Sequence, residues 1–389
     1  MVNTTTAAGL IGVVLLARHG DRTAYYQDPT TYNSTQAYIT PLGEQQEFEL
    51  GNFLRNTYLN PDSPSFIQNI STDVANIDQL TVRADAGGGN VILNSAYALL
   101  QGLYPSTQNS AIALANGTTV PPSSWRISIL QSLEYWQSPS LTSWMDCEYF
   151  QDHLTRLYAS SAFINMSTTA APFLTALKPY LGGVSNNFTN MWNIYDHVNV
   201  QYTYNRTYYE TLPPTFLQQA RYYADWVQRN VFTDSEPIAI RTLLPEIFWA
   251  LGNMTKTSNK VKMNIQEVDY KPFISLFNVT NATVTDPDIG GIPNYASVIA
   301  LELSQDSQGQ YEVSMKFKNG TEDSQFRQLQ MFGNTSITFD SFVEELFGTT
   351  INSTNNWCFS CNQTVQRGCS VFNYSNDAFL SGYGTGYRR

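Results

Sequence analysis

Residues 11–17 form an unbroken apolar run rich in Val, Ile and Leu, the pattern of a central parallel strand covered on both faces. His19 follows at its carboxyl end, the edge where open α/β sheets bind ligands, and Gly20 is expected to let the chain turn sharply there. In "TPLGEQQEFELGNFLRNTYL", Thr40 suits a helix cap, Pro41 its first position, and Leu50, Phe53, Leu54 and Tyr58 share one face. A short strand at 80–83 leads through the glycine-rich "ADAGGGN" into a helix with Ile92, Leu93, Ala96, Leu99, Leu100 and Leu103 on its apolar side. The glycine run reads as a flexible loop, with a phosphate cradle at the helix amino end as the weaker reading.

From 106 to 235 the pattern changes to aromatic-rich helical segments separated by Pro, Gly and Asn, without strand alternation. Sheet signals return at "KVKMNIQEV" and then at "YASVIALEL" and "QYEVSMKFK", which the polar "SQDSQG" joins as an antiparallel hairpin. The reading is an α/β fold: a mixed, mainly parallel sheet flanked by helices, built from residues 1–105 and 236–389, with a helical cap subdomain inserted at 106–235.

With 42% hydrophobic and 14% charged residues the chain is globular, its surface mostly neutral and polar. A net charge of −11 repels nucleic acid and anionic membrane, so an anionic ligand needs a local cationic pocket, for which Arg18 and Arg22 are the candidates. Fifteen of the 33 Asn lie in N-x-S/T sequons, among them Asn33, Asn116, Asn205, Asn278, Asn319 and Asn362, which predicts a secreted, N-glycosylated protein. Cys147, Cys358, Cys361 and Cys369 form an even set suited to two disulfides, with three connectivities open; a zinc site is disfavoured because a second Cys-x-x-Cys is absent. No segment has the ~18 apolar residues of a membrane span. The run at 7–17 lacks the basic flank of a signal sequence, so the chain is expected to be a mature or trimmed product, with "SGYGTGYRR" as the start of a linker.

The motif "RHGDRTA", with "TPLGEQQEFELGNFLRNTYL", "NSAYALLQGLYP", "RTLLPEIFWAL", "NYASVIALEL" and "YEVSMKFKNGT" in order and spacing, resembles the histidine acid phosphatase family, the branch of the histidine phosphatase superfamily that includes fungal phytases and lysosomal-type acid phosphatases. The resemblance runs the full length. It implies hydrolysis of phosphomonoesters in two steps, with His19 as the nucleophile that forms a phosphohistidine and Asp269 as the acid that protonates the leaving alcohol. Arg18 and Arg22 would bind the phosphoryl oxygens, because planar, permanently charged guanidinium groups bridge such oxygens in pairs. No cofactor or metal is expected. The resemblance also implies that Cys147 joins the cap to the carboxyl-terminal region while two of the other cysteines close a short loop.

Two of the family's groups are replaced. The pocket arginine expected at the start of the second helix is Asn90 or Val91, within "RADAGGGNVILNSA", and the histidine preceding the acidic aspartate is Val268, in "EVDYKPF". Val268 is expected to leave an apolar wall and the loop 84–90 a wider mouth, with Arg83 the candidate to swing in as a substitute cation. His153 and His197 are read as structural or surface residues, and Tyr25, Tyr26, Trp136 and Trp192 by default as core. Losing two cations of a charge-stabilising site costs about 10⁴–10⁶ in rate. Three functions stay open: a pseudophosphatase with a weak site for a small anionic or phosphorylated ligand; a slow phosphomonoesterase using His19 and Asp269; and a pocket re-used for carbohydrate or another neutral substrate through Glu267, Asp269 and Asp85.

Overall fold

The computed structural model describes residues 9–86, 90–121, 130–133, 139–234, 236–366 and 368–370. Strand β1 (Gly9–Arg18) is the apolar run, and Val13, Val14, Leu15 and Leu16 are all fully buried. Its alternate residues serve two cores. Val13, Leu15 and Ala17 pack with Leu50 and Leu54 of α1 (Pro41–Leu54) and Leu99 and Leu103 of α2 (Val91–Leu103), whereas Val14 and Leu16 face the opposite side. Two covered faces explain why this strand does not alternate, and each buried aliphatic side chain stabilises the fold by about 1.5–3 kcal/mol.

Around β1 the sheet comprises β2 (Leu80–Asp85), β5 (Leu130–Leu133), β6 (Met263–Val268), β7 (Val298–Gln305), β8 (Tyr311–Lys318), β9 (Arg327–Leu329) and β10 (Ser336–Thr338); β3 (Ile112–Ala113) and β4 (Thr119–Val120) form a separate small hairpin. The order is β10-β8-β7-β1-β6-β2-β5, with β9 also paired to β8. Strands β1, β6, β2 and β5 run parallel, while β7 lies antiparallel to β1 and continues through β8 to β9 and β10. The sheet is therefore mixed, and its parallel character is confined to one half rather than dominant. Within 106–235, read as helical segments without strand alternation, β5 adds a strand that the sequence reading did not foresee, its four residues pairing with β2 at the sheet edge.

Beyond β5 the described residues form the helices α3 (Glu148–Tyr158), α4 (Ser161–Leu177), α5 (Met191–Tyr204), α6 (Arg206–Thr211) and α7 (Phe216–Phe232). They enclose an aromatic core with Phe163, Phe188, Trp192 and Phe232, which is continuous with Trp357 near the carboxyl end. Helices α8 (Ile238–Arg241) and α9 (Leu244–Met254) return the chain to the sheet, and α10 (Lys271–Val279) follows β6. Cys147 pairs with Cys361, tying the start of α3 to the carboxyl-terminal region, and Cys358 with Cys369 closes the short loop. Among the described residues no helix is long and apolar enough to cross a membrane.

Gly20 does not adopt a left-handed conformation, so it is not there for a sharp turn. Close approach requires it instead: a Cβ on Gly20 would lie 2.4 Å from the carbonyl oxygen of Gly43, and one on Gly43 would lie 2.1 Å from that of Asp21. The first turn of α1, capped by Thr40 Oγ1 accepting from Gly43 N at 3.1 Å, is thereby pressed against the loop that carries His19.

Candidate active site

The carboxyl ends of the parallel strands β1, β6 and β2 converge, and the cap closes over them to leave a cavity of about 370 Å³. Its lining includes Arg18, His19 and Arg22 from the β1 loop, Asp85 from β2, and Asp269 and Lys271 from the turn after β6. Tyr25 and Trp192 also line it, so these two aromatics are cleft residues rather than core alone; Tyr26 is exposed, and Trp136 lies outside the described residues.

His19 is buried, with its backbone held between Val268 and Ala296 by hydrogen bonds of 3.2 Å each. Its Nδ1 meets the carbonyl of Gly20 at 2.8 Å. A carbonyl only accepts, so Nδ1 carries the proton and Nε2 bears the lone pair. Burial, then the charges of Arg18 and Arg22, hold the imidazole well below its ordinary value of 6.5. A neutral, singly oriented imidazole is the state a nucleophile needs, and here it persists in acid.

Both guanidinium groups are buried and already engaged. Arg18 donates through Nη1 to the carbonyl of Pro293, and its guanidinium lies 4.4 Å from the centre of the Tyr295 ring, while its Nε has no partner. Arg22 is paired with Asp196 of α5 at 2.8 Å, both side chains 3% exposed, and sits 4.2 Å over the ring of Tyr25. Desolvation is the largest single influence and lowers the affinity of Arg22 for its proton, but the charge and hydrogen bond of Asp196 together with Tyr295 and Tyr25 more than offset it. A cap carboxylate thus neutralises one of the two cations that the β1 loop supplies.

Three sequence expectations about this pocket need correction. Val268 is no wall of the cavity: it points into the core with Leu16 and Phe273, because alternation along β6 turns it away. Arg83 does not swing in; it pairs with Glu246 at 3.8 Å, bonds Gln266 and Ser140, and lines a different depression. Glu267 is fully buried on the α1 side of the sheet and does not reach the cavity. Asn90, the amino cap of α2, is exposed, whereas Val91 and Ile92 form the apolar wall where the family pattern would place a cation. Residues 87–89 of the intervening loop lie outside the described residues.

The cation that sequence reasoning missed is Lys271. Its side chain is 2% exposed, its ammonium is paired with Asp269 Oδ2, and the rings of Trp144 and Tyr270 lie 4.8 Å away. Asp269 Oδ1 accepts from the backbone N–H of Lys271 at 2.8 Å, which locks the turn. Burial lowers the ammonium's proton affinity against the pull of Asp269 and Asp85. The available signal was "DYKPF": Pro272 near the start of a helix right after a strand end puts Lys271 in the first turn over the ligand-binding edge. The cavity is therefore lined by three cations and by Asp85, Asp146 and Asp269, with Asp196 holding Arg22 from outside the lining. The remaining histidines are elsewhere: His153 contacts the Asn230 carbonyl and Asp234, and His197 the Tyr180 carbonyl.

Behind the pocket, Glu47 of α1 and Glu267 of β6 are fully buried, and none of their four carboxyl oxygens has a hydrogen-bond partner. On the same sheet face Glu267 is flanked by Ala17 and Ala84, too small to contribute a polar group. Burial raises both acids well above the ordinary 4.5, and Glu267 raises Glu47 further.

The fold and the site make an α/β protein, capped by helices, with a buried histidine among cations at the carboxyl edge of its parallel strands. No family model matches the chain. Individual proteins do: it is 25% identical to the lysosomal acid phosphatase of Xenopus laevis over 79% of this chain and 69% of the relative, and 24% identical to that of Rattus norvegicus over 80% and 71%. Among solved structures, a Hafnia alvei phytase in complex with tartrate superposes with a TM-score of 0.61 at 13% identity, covering 89% of this chain and 98% of the phytase. The phytase of Citrobacter braakii gives 0.61 at 12%, covering 88% and 98%. The chain is thus a phosphatase-like protein related to the histidine acid phosphatases, with the α/β fold of that branch.

Proposed function

We propose that the protein is a secreted glycoprotein whose cleft hydrolyses phosphomonoesters slowly, through His19, in acid. The observation that carries this reading is the placement of a neutral, singly oriented His19 in one cavity with Arg18, Arg22, Lys271 and Asp269. In the first step Nε2 of His19 bonds to phosphorus as the ester P–O bond breaks, and the leaving oxygen takes the proton of Asp269. In the second, water attacks phosphorus, the P–N bond breaks, the water proton passes to Asp269, and inorganic phosphate leaves with Nε2 restored. Lys271 takes the place of the missing cation, and its shift onto a phosphoryl oxygen releases Asp269 from the ion pair.

Low efficiency follows from the same contacts. Arg22 must leave Asp196 in part, and Lys271 must leave Asp269, before either meets phosphate, so binding energy is spent on exchange of partners. That observation also supports a second reading, a pseudophosphatase that binds a small anion without turnover. Secretion and glycosylation are supported by the two disulfides and by the exposure of Asn33, Asn116, Asn205 and Asn362. Asn278 and Asn319 are half-buried, and the Asn319 carboxamide oxygen already accepts from Asn294 N at 2.7 Å.

The test is phosphate release from an aryl phosphate between about pH 3 and pH 7, with wild type and His19→Ala purified in parallel from one host to subtract contaminating phosphatase. Slow turnover in the wild type, absent in the variant and persisting well below the ordinary histidine range, is expected. Equal rates in the two proteins would refute hydrolysis, and phosphate binding without turnover would establish the second reading.

A further inference from the structure

A second cavity, of about 450 Å³, lies on the other side of Arg18 and Trp192, which line both. It is bounded by α5, the start of α1, the start of α7 and the turn before β7. Tyr195, Tyr202 and Tyr295 join Trp192 in its walls. The charged groups there are largely engaged: Asp21 accepts from Thr40 Oγ1 at 2.6 Å and from the Tyr204 hydroxyl. Arg221 donates to Asp225, to the Ile292 carbonyl, to Tyr195 Oη at 3.0 Å and to Asn294 Oδ1 at 2.9 Å, which fixes two lining side chains in place. In contrast, the carboxamides of Asn199 and Gln218 make no hydrogen bond among the described residues, and Gln46 uses only its oxygen, accepting from Asp21 N at 2.9 Å.

We propose that this second cavity is a binding site for a neutral sugar ring. Aromatic faces match the C–H faces of a pyranose, uncommitted carboxamides match its hydroxyls, and the volume falls in the range of small-ligand sites, ~300–1,000 Å³. Asp21 already accepts from two hydroxyls, Arg221 is paired with Asp225, and Glu322 is an exposed carboxylate accepting from Asn294 Nδ2 at 3.4 Å, so among the described residues of the lining Arg18 is the one buried charge left for a charged ligand, whereas a polyhydroxylated neutral ring needs none. The Arg221 network makes the aromatic wall preorganised, which lowers the entropic cost of binding. The inference goes beyond the phosphatase reading and does not rest on it.

The experiment is calorimetric titration and saturation-transfer NMR of the full chain with glucose, mannose, galactose, N-acetylglucosamine and their methyl glycosides. At least one should bind saturably with a Kd on the order of 1 mM, and Tyr202→Ala and Asn199→Ala should each weaken it about tenfold or more. Both residues are only half-buried, and an unchanged thermal midpoint identifies the variants as folded. His19→Ala should keep full sugar binding, which separates failure of this site from failure of the phosphatase reading. No binding by any sugar, or binding that both folded variants retain, would overturn the proposal.

Discussion

Replacing Lys271 by methionine keeps most of the stem volume and removes the ammonium. If Lys271 supplies the missing cation, the loss is that of one preorganised donor to transition-state charge, about 10²–10³ in kcat/KM, or ~3–4 kcal/mol. Stability falls by less. Breaking a fully buried ion pair costs about 3–5 kcal/mol, but Asp269 keeps the backbone N–H of residue 271 at 2.8 Å and is 14% exposed toward the cavity, so about 1–3 kcal/mol is expected. Activity and folding are thereby separable. The assay is kcat/KM for an aryl phosphate in acid, beside the thermal midpoint, for wild type, Lys271→Met and Lys271→Arg, with arginine expected to recover part of the rate. A Lys271→Met protein that stays within about threefold of wild type, while His19→Ala is inactive, would refute the role given to Lys271.

Glu47→Gln and Glu267→Gln should each raise the thermal midpoint at neutral pH. Both carboxyls have folded-state affinities raised above the ordinary 4.5, so their stabilising contribution is complete below that pH and is lost as pH rises toward their folded values; the slope of stability against pH should flatten in the variants. Asp196→Asn leaves the buried Arg22 without its counter-charge and should lose about 3–5 kcal/mol, regained in part when inorganic phosphate is added, so its midpoint should climb more steeply with phosphate than that of the wild type. Removing Cys147–Cys361, which spans 214 residues, should cost about 5 kcal/mol by loop entropy, against about 3 kcal/mol for Cys358–Cys369, which spans 11; equal losses in denaturant titrations would contradict that ordering.

How far the sequence reached depended on whether a contact was local. The strand bearing His19, the Thr40–Pro41 helix start and the β7–β8 hairpin follow from apolar period, capping chemistry and turn composition, all of which lie within a few residues. The short edge strand β5 was missed because four residues in an aromatic-rich stretch carry no alternation to read. Arg83 and Glu267 were misplaced for a different reason: in a sheet with both faces covered, the apolar run does not tell which face a polar residue takes; the distant Glu246 engages Arg83, and the register of β6 with β1 and β2 sets Glu267 beside Ala17 and Ala84. The Arg22–Asp196 pair joins residues 174 apart and leaves no trace in either neighbourhood. Lys271 was legible through Pro272, but attention to the position of Val268 passed over it.

The most direct measurement of the central claim is chemical capture of the intermediate: mix the protein with an aryl phosphate in acid, quench rapidly into alkali, in which phosphohistidine survives, and map the phosphorylated peptide by mass spectrometry. Phosphate on the peptide containing His19, growing on the timescale of aryl alcohol release and absent from His19→Ala, is the predicted result. Turnover without phosphate at His19, or no phosphorylation and no turnover at any acid pH, would contradict it.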